Sequence, residues 1–393
     1  MENVPGHPPA QPRRSEAKAG GILQPRRILV RGVNWLGDAV MTTPALMRLR
    51  ERFPDAHIAL LTPEKLKDLW LLHPAVSETI SFAPGKNVFS VSRKLREKSF
   101  DLALMLPNSP RSAIEVWLAR IPQCIGYARS WRNFFLTQTV AARPGAAKMR
   151  KRSAAEIRRL VAADVNRRSD RALTSAATSA HQIHEYLHLV AALGANPEPL
   201  PPQLFATLEE IESAEKKFGL TEISQPVFGL NPGAEYGPAK RWPIDRFTAA
   251  AREIQKRTNC VWIIFGSTGD ASIANQIASD LRPQSSDFRN LAGKTSLREL
   301  MALLKLCRVV LTNDSGPMHV AAALGTQVVV PFGSTSPELT GPGLPGDARH
   351  RVLKSDAPCS PCFLRECPID FRCMTGIAVE RVVEAVLEAS KNS

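Results

Sequence analysis

Four short runs hold residues whose types and spacing suit chemistry on an anionic substrate. The first is Asn313-Asp314-Ser315-Gly316-Pro317-Met318-His319, after the apolar stretch Val309-Val310-Leu311. A β-branched stretch, a polar turn and a proline at a first helical position predict strand, loop and helix start. Unpaired N–H groups at such a start suit a phosphate, and His319 in the first turn adds a donor. The second run is Asn231-Pro232-Gly233-Ala234, followed by Lys240-Arg241-Trp242-Pro243. Its N–H groups, with Lys240 or Arg241 as the cation, suit a diphosphate; the plainer reading is a turn and a surface pair. In the third, Gly266-Ser267-Thr268-Gly269-Asp270, Ser267 is a candidate for the same ligand. Asp270 either touches a ribose or base or caps the next helix. The fourth, Arg31-Gly32-Val33-Asn34-Trp35-Leu36-Gly37-Asp38, places one carboxylate between a strand end and a helix start. Asp38 is either a general base facing a cleft or an acidic residue favoured by the helix dipole.

Other patterns are absent. No G-x-x-x-x-G-K-[ST] loop occurs, and Gly32 to Gly37 does not fit G-x-G-x-x-G. No Asp-x-Asp metal motif stands out, so the protein's own cations would take the place of a divalent metal. The tail holds Cys359, Cys362, Cys367 and Cys373. That spacing fits a metal, or else a thiol-rich turn without one. His184 and His188 share a helical face but lack an evident third ligand, which favours a structural or acceptor-side role. Tyr127, Arg129, Trp131 and Arg132, with the cluster Lys148-Met149-Arg150-Lys151-Arg152, interleave aromatic and basic side chains. They suit a phosphorylated glycolipid or are a solvated basic face.

These runs need a scaffold that brings loops together. Apolar strands are expected at Ile28 to Val30, His57 to Leu61, Glu78 to Phe82 and Leu102 to Leu106. Helices alternate with them at Ala39 to Phe53, Leu66 to Leu72 and Val91 to Lys98. Near-continuous apolar strands between helices indicate a parallel sheet covered on both faces. Residues 145–180 break the pattern and read as a basic flap or insertion; a helix then resumes from His184 to Leu193. Residues 197–202 are Pro-rich and read as a linker. The alternation restarts with strands at Val227 to Leu230, Val261 to Phe265, Val309 to Thr312 and Val328 to Pro331. The expectation is an α/β chain of two Rossmann-like, doubly wound domains, 26–196 and 203–375, facing across a cleft. Ligands in such sheets bind beyond the carboxyl ends of the strands. An amphipathic helix closes the chain within 376–390 and is expected to return to the first domain.

Composition sets the frame. The chain has 393 residues and a net charge of +14, which points to an anionic partner: nucleic acid, anionic lipid or a phosphorylated substrate. No zinc-finger spacing, RNP-like run or basic heptad array supports nucleic acid. No apolar run is long enough to span a bilayer. Residues 1–25 lack an apolar signal core and read as a disordered extension. A cytoplasmic protein with reduced cysteines is therefore expected.

Taken in order, Asn34-Trp35-Leu36-Gly37-Asp38 with Thr42-Thr43-Pro44-Ala45-Leu46, then Asn231 to Ala234 with Lys240 to Pro243, then Asn313 to His319, resemble the lipopolysaccharide heptosyltransferases of glycosyltransferase family 9. The likeness is greatest to the heptosyltransferase II-like branch and spans roughly Arg26 to Leu387. It implies a GT-B fold, an ADP-heptose donor, inversion at the anomeric carbon and a lipid A–core acceptor carrying one heptose. It implies Asp38 as base. Donor contacts would come from Asn231, Gly233, Lys240, Arg241, Ser267, Asp314, Ser315, Gly316 and His319. Acceptor contacts would come from Asn34, Arg129, Arg132, Lys148 and Arg150. It implies no required cofactor and work at the cytoplasmic face of the inner membrane. Related tails often read Cys-Pro-Ile-Asp-His-Arg-Cys, and Phe371 stands where that His would be. Another nucleotide sugar, an epimerase on the same fold, or a non-catalytic binder of anionic glycan or nucleic acid remain as alternatives.

Overall fold

The computed structural model describes residues 24–146, 149–163, 180–281 and 288–391. The extension to residue 23, Lys148 and the flap segment 164–179 lie outside the described residues.

The chain forms two parallel six-stranded sheets, each from a contiguous part of the sequence. The first contains β1 (Arg27–Arg31), β2 (His57–Pro63), β3 (Glu78–Phe82), β4 (Leu102–Met105), β5 (Gln123–Tyr127) and β6 (Gln138–Val140), in the order β3-β2-β1-β4-β5-β6. The second contains β7 (Val227–Asn231), β8 (Val261–Ile264), β9 (Phe288–Asn290), β10 (Val309–Thr312), β11 (Gln327–Pro331) and β12 (Arg351–Leu353), in the order β12-β11-β10-β7-β8-β9. Both orders reverse beside the first strand of their half, which opens a crevice at the carboxyl ends of β1 and β4 and of β7 and β10. Central strands are buried on both faces: Ile28, Leu29 and Val30 in β1, and Val309, Val310 and Leu311 in β10, have no exposed surface. One apolar cluster runs from the first half into the second, joining Leu66 and Leu69 with Met301 and Leu304.

Three expectations change. The helix expected over Ala39 to Phe53 is two helices, Leu36–Met41 and Thr43–Arg52. Pro44 has no N–H for the Val40 carbonyl, which instead accepts from the Thr43 hydroxyl at 2.8 Å. The helix expected over Leu66 to Leu72 starts two residues earlier and is a 3₁₀ helix, Glu64–Trp70. The last helix, Val379–Lys391, does not return to the first domain. It packs on helix Ile244–Thr258 and on β10 and β11, because Val382, Val383 and Val386 join the core around Trp262 and Phe247.

Candidate active site

The two halves meet through helix starts. Helix Leu36–Met41 leaves the carboxyl end of β1, helix Gly316–Ala323 leaves that of β10, and the two pack on each other. Glycine makes the approach possible. A Cβ at Gly37 would lie 2.7 Å from His319 Cδ2, and one at Gly316 would lie 2.9 Å from Leu36 Cδ2. Both are shorter than real contacts allow. The loop before Asp38 is held from below: Arg31, fully buried, pairs through Nε with buried Glu115 at 3.0 Å. Its Nη1 donates to the Gly32 carbonyl and to Asn34 Oδ1.

Asp38 enters the cleft from this loop, half-buried, facing charges of the other half. Burial pushes its pKa up to about 6, and nearby Asp314 adds to the rise. Lys240 and a hydrogen bond from Gln182 oppose it. Lys240 Nζ pairs with Asp314 Oδ2 at 2.6 Å, and that oxygen also accepts from Thr335 Oγ1 at 2.5 Å. The ammonium lies 5.0 Å from the Tyr236 ring centroid. A cation thus stands between a carboxylate of each half. His319 is buried, and burial pushes its pKa down to about 4. At neutral pH it is an uncharged ring, able to donate one N–H but no positive charge.

The remaining donor-side candidates divide into those near the cleft and those holding the loops. Asn231 is buried, and its amide donates to Thr312 Oγ1 and Ser315 Oγ at 3.0 Å each. It ties the β7 turn to the β10 turn, and Ser315 is drawn into the same brace. Ser267 forms a reciprocal cap with Asp270, its hydroxyl donating to Oδ2 at 2.6 Å; the capping reading of Asp270 holds. The Asp270 carboxylate fills the space beside Gly233, and Arg241 lies 3.4 Å from it.

On the acceptor side, Asn34 and Arg129 are exposed, and Arg150 is exposed and paired with Glu156. Arg132 is fully buried. Its Nη1 donates to Asn108 Oδ1 at 3.0 Å, while Nε and Nη2 have no partner among the described residues. Burial, then Arg129, pushes its pKa down to about 10, so it remains a cation, folded over the carboxyl ends of β4 and β5 beside Met105 and Gly126. His188 stacks on Tyr127 and meets the Ala141 carbonyl at 3.2 Å, a structural place.

The motifs give no role to three contributors, although Asn313 opens one of them. Asn313, with no exposed surface, accepts from the Trp242 N–H at 2.9 Å and donates to the Pro232 carbonyl at 2.7 Å. It clamps the Lys240 segment to the β7 turn. Gln182 donates to the Tyr186 hydroxyl at 2.8 Å as well as to Asp38. Thr335 orients Asp314. The polar type of Asn313 inside a buried turn was the available signal; nothing local marks Gln182 or Thr335.

The tail cysteines lie together. Cys359 and Cys373 share a hydrogen bond that lowers the Cys359 pKa to about 7. Cys359 and Cys362 pack with Ile157 of helix Ala154–Ala163, and the Arg152 N–H donates to the Cys362 carbonyl at 3.1 Å. The described part of the flap is therefore docked on the cysteine loop of the other half. Among the described residues, no group of three or more His, Cys, Asp or Glu is placed to hold a metal ion.

Comparisons with known proteins agree with this geometry. The profile of "Glycosyltransferase family 9 (heptosyltransferase)" matches residues 88–155 and 146–371. The chain is 32% identical over 352 residues to lipopolysaccharide heptosyltransferase 2 of Escherichia coli strain K12, covering 84% of this chain and 91% of that one. It is 31% identical over 333 residues to lipooligosaccharide heptosyltransferase 2 of Haemophilus ducreyi, covering 80% and 86%. The solved structure of E. coli ADP-heptose lps heptosyltransferase II aligns with a TM-score of 0.73 at 28% identity, covering 93% of this chain and 99% of that one.

Proposed function

This chain belongs to glycosyltransferase family 9, and from that premise we propose that it moves a heptosyl group from ADP-heptose to the inner core of lipopolysaccharide, with Asp38 as the base. It is a GT-B glycosyltransferase. The observation that carries the assignment of roles is the meeting of Asp38 from one half with the Lys240–Asp314 pair from the other.

The reaction is a single displacement. The acceptor hydroxyl oxygen attacks C1 of the donor sugar, Asp38 takes the hydroxyl proton, and the C1–O bond to the diphosphate breaks with its electron pair leaving on ADP. Attack from the face opposite ADP inverts the anomeric centre. The transition state has oxocarbenium character, as in glycoside hydrolysis. A base with a pKa near 6 is ionised at neutral pH yet still accepts a proton readily. Negative charge develops on the leaving diphosphate, where Lys240 and the N–H groups opening helix Gly316–Ala323 stabilise it. Asp314 holds Lys240 in place, and its own charge keeps it from serving as a phosphate ligand. No step needs a metal ion. We assign Arg129 and Arg132, with Asn34 and Arg150, to the acceptor side, for a phosphorylated, lipid-linked sugar. The acceptor brings the enzyme to the cytoplasmic face of the inner membrane as a peripheral protein; no described helix is long and apolar enough to cross a membrane.

Two measurements test this. Asp38→Asn should keep ADP-heptose affinity within a few-fold and lose about 10²–10⁴ in turnover; full turnover would remove Asp38 from the role of base. A thermal-shift screen of ADP, UDP and GDP sugars should favour ADP-heptose. Preference for UDP or GDP sugars would overturn the donor assignment.

A further inference from the structure

One surface of the first domain carries aromatic side chains that the transfer site does not use. Helices Val88–Arg96 and Pro110–Leu118 lie side by side on the first sheet, and the turn Asn133–Phe135 closes against the second of them. Val91, Leu95, Ala113 and Val116 face inward and fill the core. Outward, Phe89 is 71% exposed, Trp117 37% and Phe134 78%. Trp117, Phe134 and Phe135 form one ring cluster, with centroids 5.4 to 6.3 Å apart. Scattered surface aromatics need no explanation, but a contiguous group marks an interaction site.

The charges around this group specify the partner. Lys86, Arg93, Lys94, Arg96 and Arg120 are all exposed. Arg96 Nη2 donates to the Leu118 carbonyl at 2.6 Å, which puts its guanidinium beside the Trp117 end of the helix. From Lys86 to Leu136 there are nine basic and three acidic residues. One of the three, Glu115, is buried between Arg31 and Arg111. One amphipathic indole and two phenyl rings bordered by arginine match a bilayer interface: the rings enter the headgroup and acyl boundary, and the guanidinium groups meet lipid phosphate. Both helices run back from the carboxyl ends of β3 and β4, so Phe89 lies at the cleft end of this face, while Trp117, Arg96 and Arg120 lie toward the amino ends of the strands.

We propose that the face formed by Phe89, Trp117 and Phe134, with Arg96 and Arg120, docks this enzyme on an anionic phospholipid surface, its two helices lying along the bilayer. This rests on the reading above that the acceptor is lipid-linked.

The test uses the full chain and vesicles without acceptor. Wild type should co-sediment with phosphatidylglycerol–phosphatidylcholine vesicles, less so as salt is raised, and poorly with phosphatidylcholine alone. The double variant Trp117→Ser/Phe134→Ser should bind roughly tenfold or more weakly. It should keep wild-type transfer to a delipidated, soluble core acceptor and lose transfer to the same acceptor in vesicles. Arg96→Glu/Arg120→Glu, which leaves the rings in place, should weaken binding to the anionic vesicles alone. Undiminished vesicle binding by both variants would overturn the proposal. So would light scattering that shows the aromatic variant splitting an oligomer while vesicle binding persists. Failure of wild type to use the soluble acceptor would instead count against the transfer reaction, and would leave the vesicle result standing.

Discussion

Replacing Gln182 with Leu should move the pH profile of transfer without removing any group that touches substrate. Gln182 hydrogen-bonds Asp38 and stabilises its ionised form; burial and Asp314 act in the opposite direction, and the carboxyl ends at about 6. A hydrogen bond to a charged group is worth about 1.5–3 kcal/mol. One pKa unit corresponds to about 1.4 kcal/mol, so the bond is equivalent to roughly one to two units. Asp38 borders the open cleft, where solvent screens part of this, and a rise of about one unit is expected. The base must be ionised to work, so activity falls as pH drops through its pKa. The acid limb should therefore move up, from about 6 toward roughly 7. Near pH 6.5 the variant should be several-fold slower than wild type, and above pH 8.5 the two should converge. Tyr186 does not confuse the result, since burial holds its hydroxyl well above the ordinary tyrosine range and it stays protonated. The assay is continuous ADP release between pH 5.5 and 9 with donor well below KM, so that kcat/KM reports the donor-free enzyme, with donor affinity measured separately. An equal loss at every pH would assign Gln182 to packing alone. An unmoved limb at full rate would break its link to Asp38.

Two further substitutions test other parts of the site. Gly37→Ala puts a methyl 2.7 Å from the His319 ring, which is buried and cannot swing clear. Overpacking of this kind costs about 1–3 kcal/mol; a lower Tm and reduced kcat/KM are expected, and the double variant Gly37→Ala/His319→Ala should recover much of the Tm. Unchanged Tm in the single variant would mean that the halves do not close this tightly. Arg132→Met removes a buried cation whose Nε and Nη2 lack partners among the described residues. Such a replacement is neutral or stabilising in comparable settings, so Tm should hold or rise while acceptor KM rises about tenfold or more and donor affinity stays put. A falling Tm with unchanged acceptor KM would make Arg132 a structural residue.

The parts of this molecule readable in advance are those set by short-range pattern. Apolar strands between helices gave the two doubly wound halves, and the Gly316-Pro317 start marked helix Gly316–Ala323 to within a residue. The break at Thr42 was harder, because Pro44 near a helix start is normally tolerated and only the Thr43 hydroxyl shows that the ladder is interrupted. The last helix was placed on the wrong half because its amphipathic stripe specifies an apolar neighbour and not which one. In the site, Asp38, Lys240 and Asp314 stood out through their turns. Gln182 and Thr335 did not, since their importance comes from neighbours 144 and 21 positions away in sequence. Arg132 was legible as a basic residue beside aromatics, but not as a buried one.

The placement of Lys240 between two carboxylates has a consequence for timing. With the cleft empty, its ammonium already answers Asp314 and tempers the proton affinity of Asp38. A diphosphate that draws the ammonium toward itself withdraws that influence, and the carboxylate becomes the stronger proton acceptor as the donor seats. Catalytic readiness is thus conferred by the sugar nucleotide, while an enzyme holding only acceptor keeps a muted base. The acid limb of kcat should accordingly lie at higher pH than that of kcat/KM for the donor, which reports the donor-free enzyme; coincident limbs would show that Lys240 does not shift its allegiance.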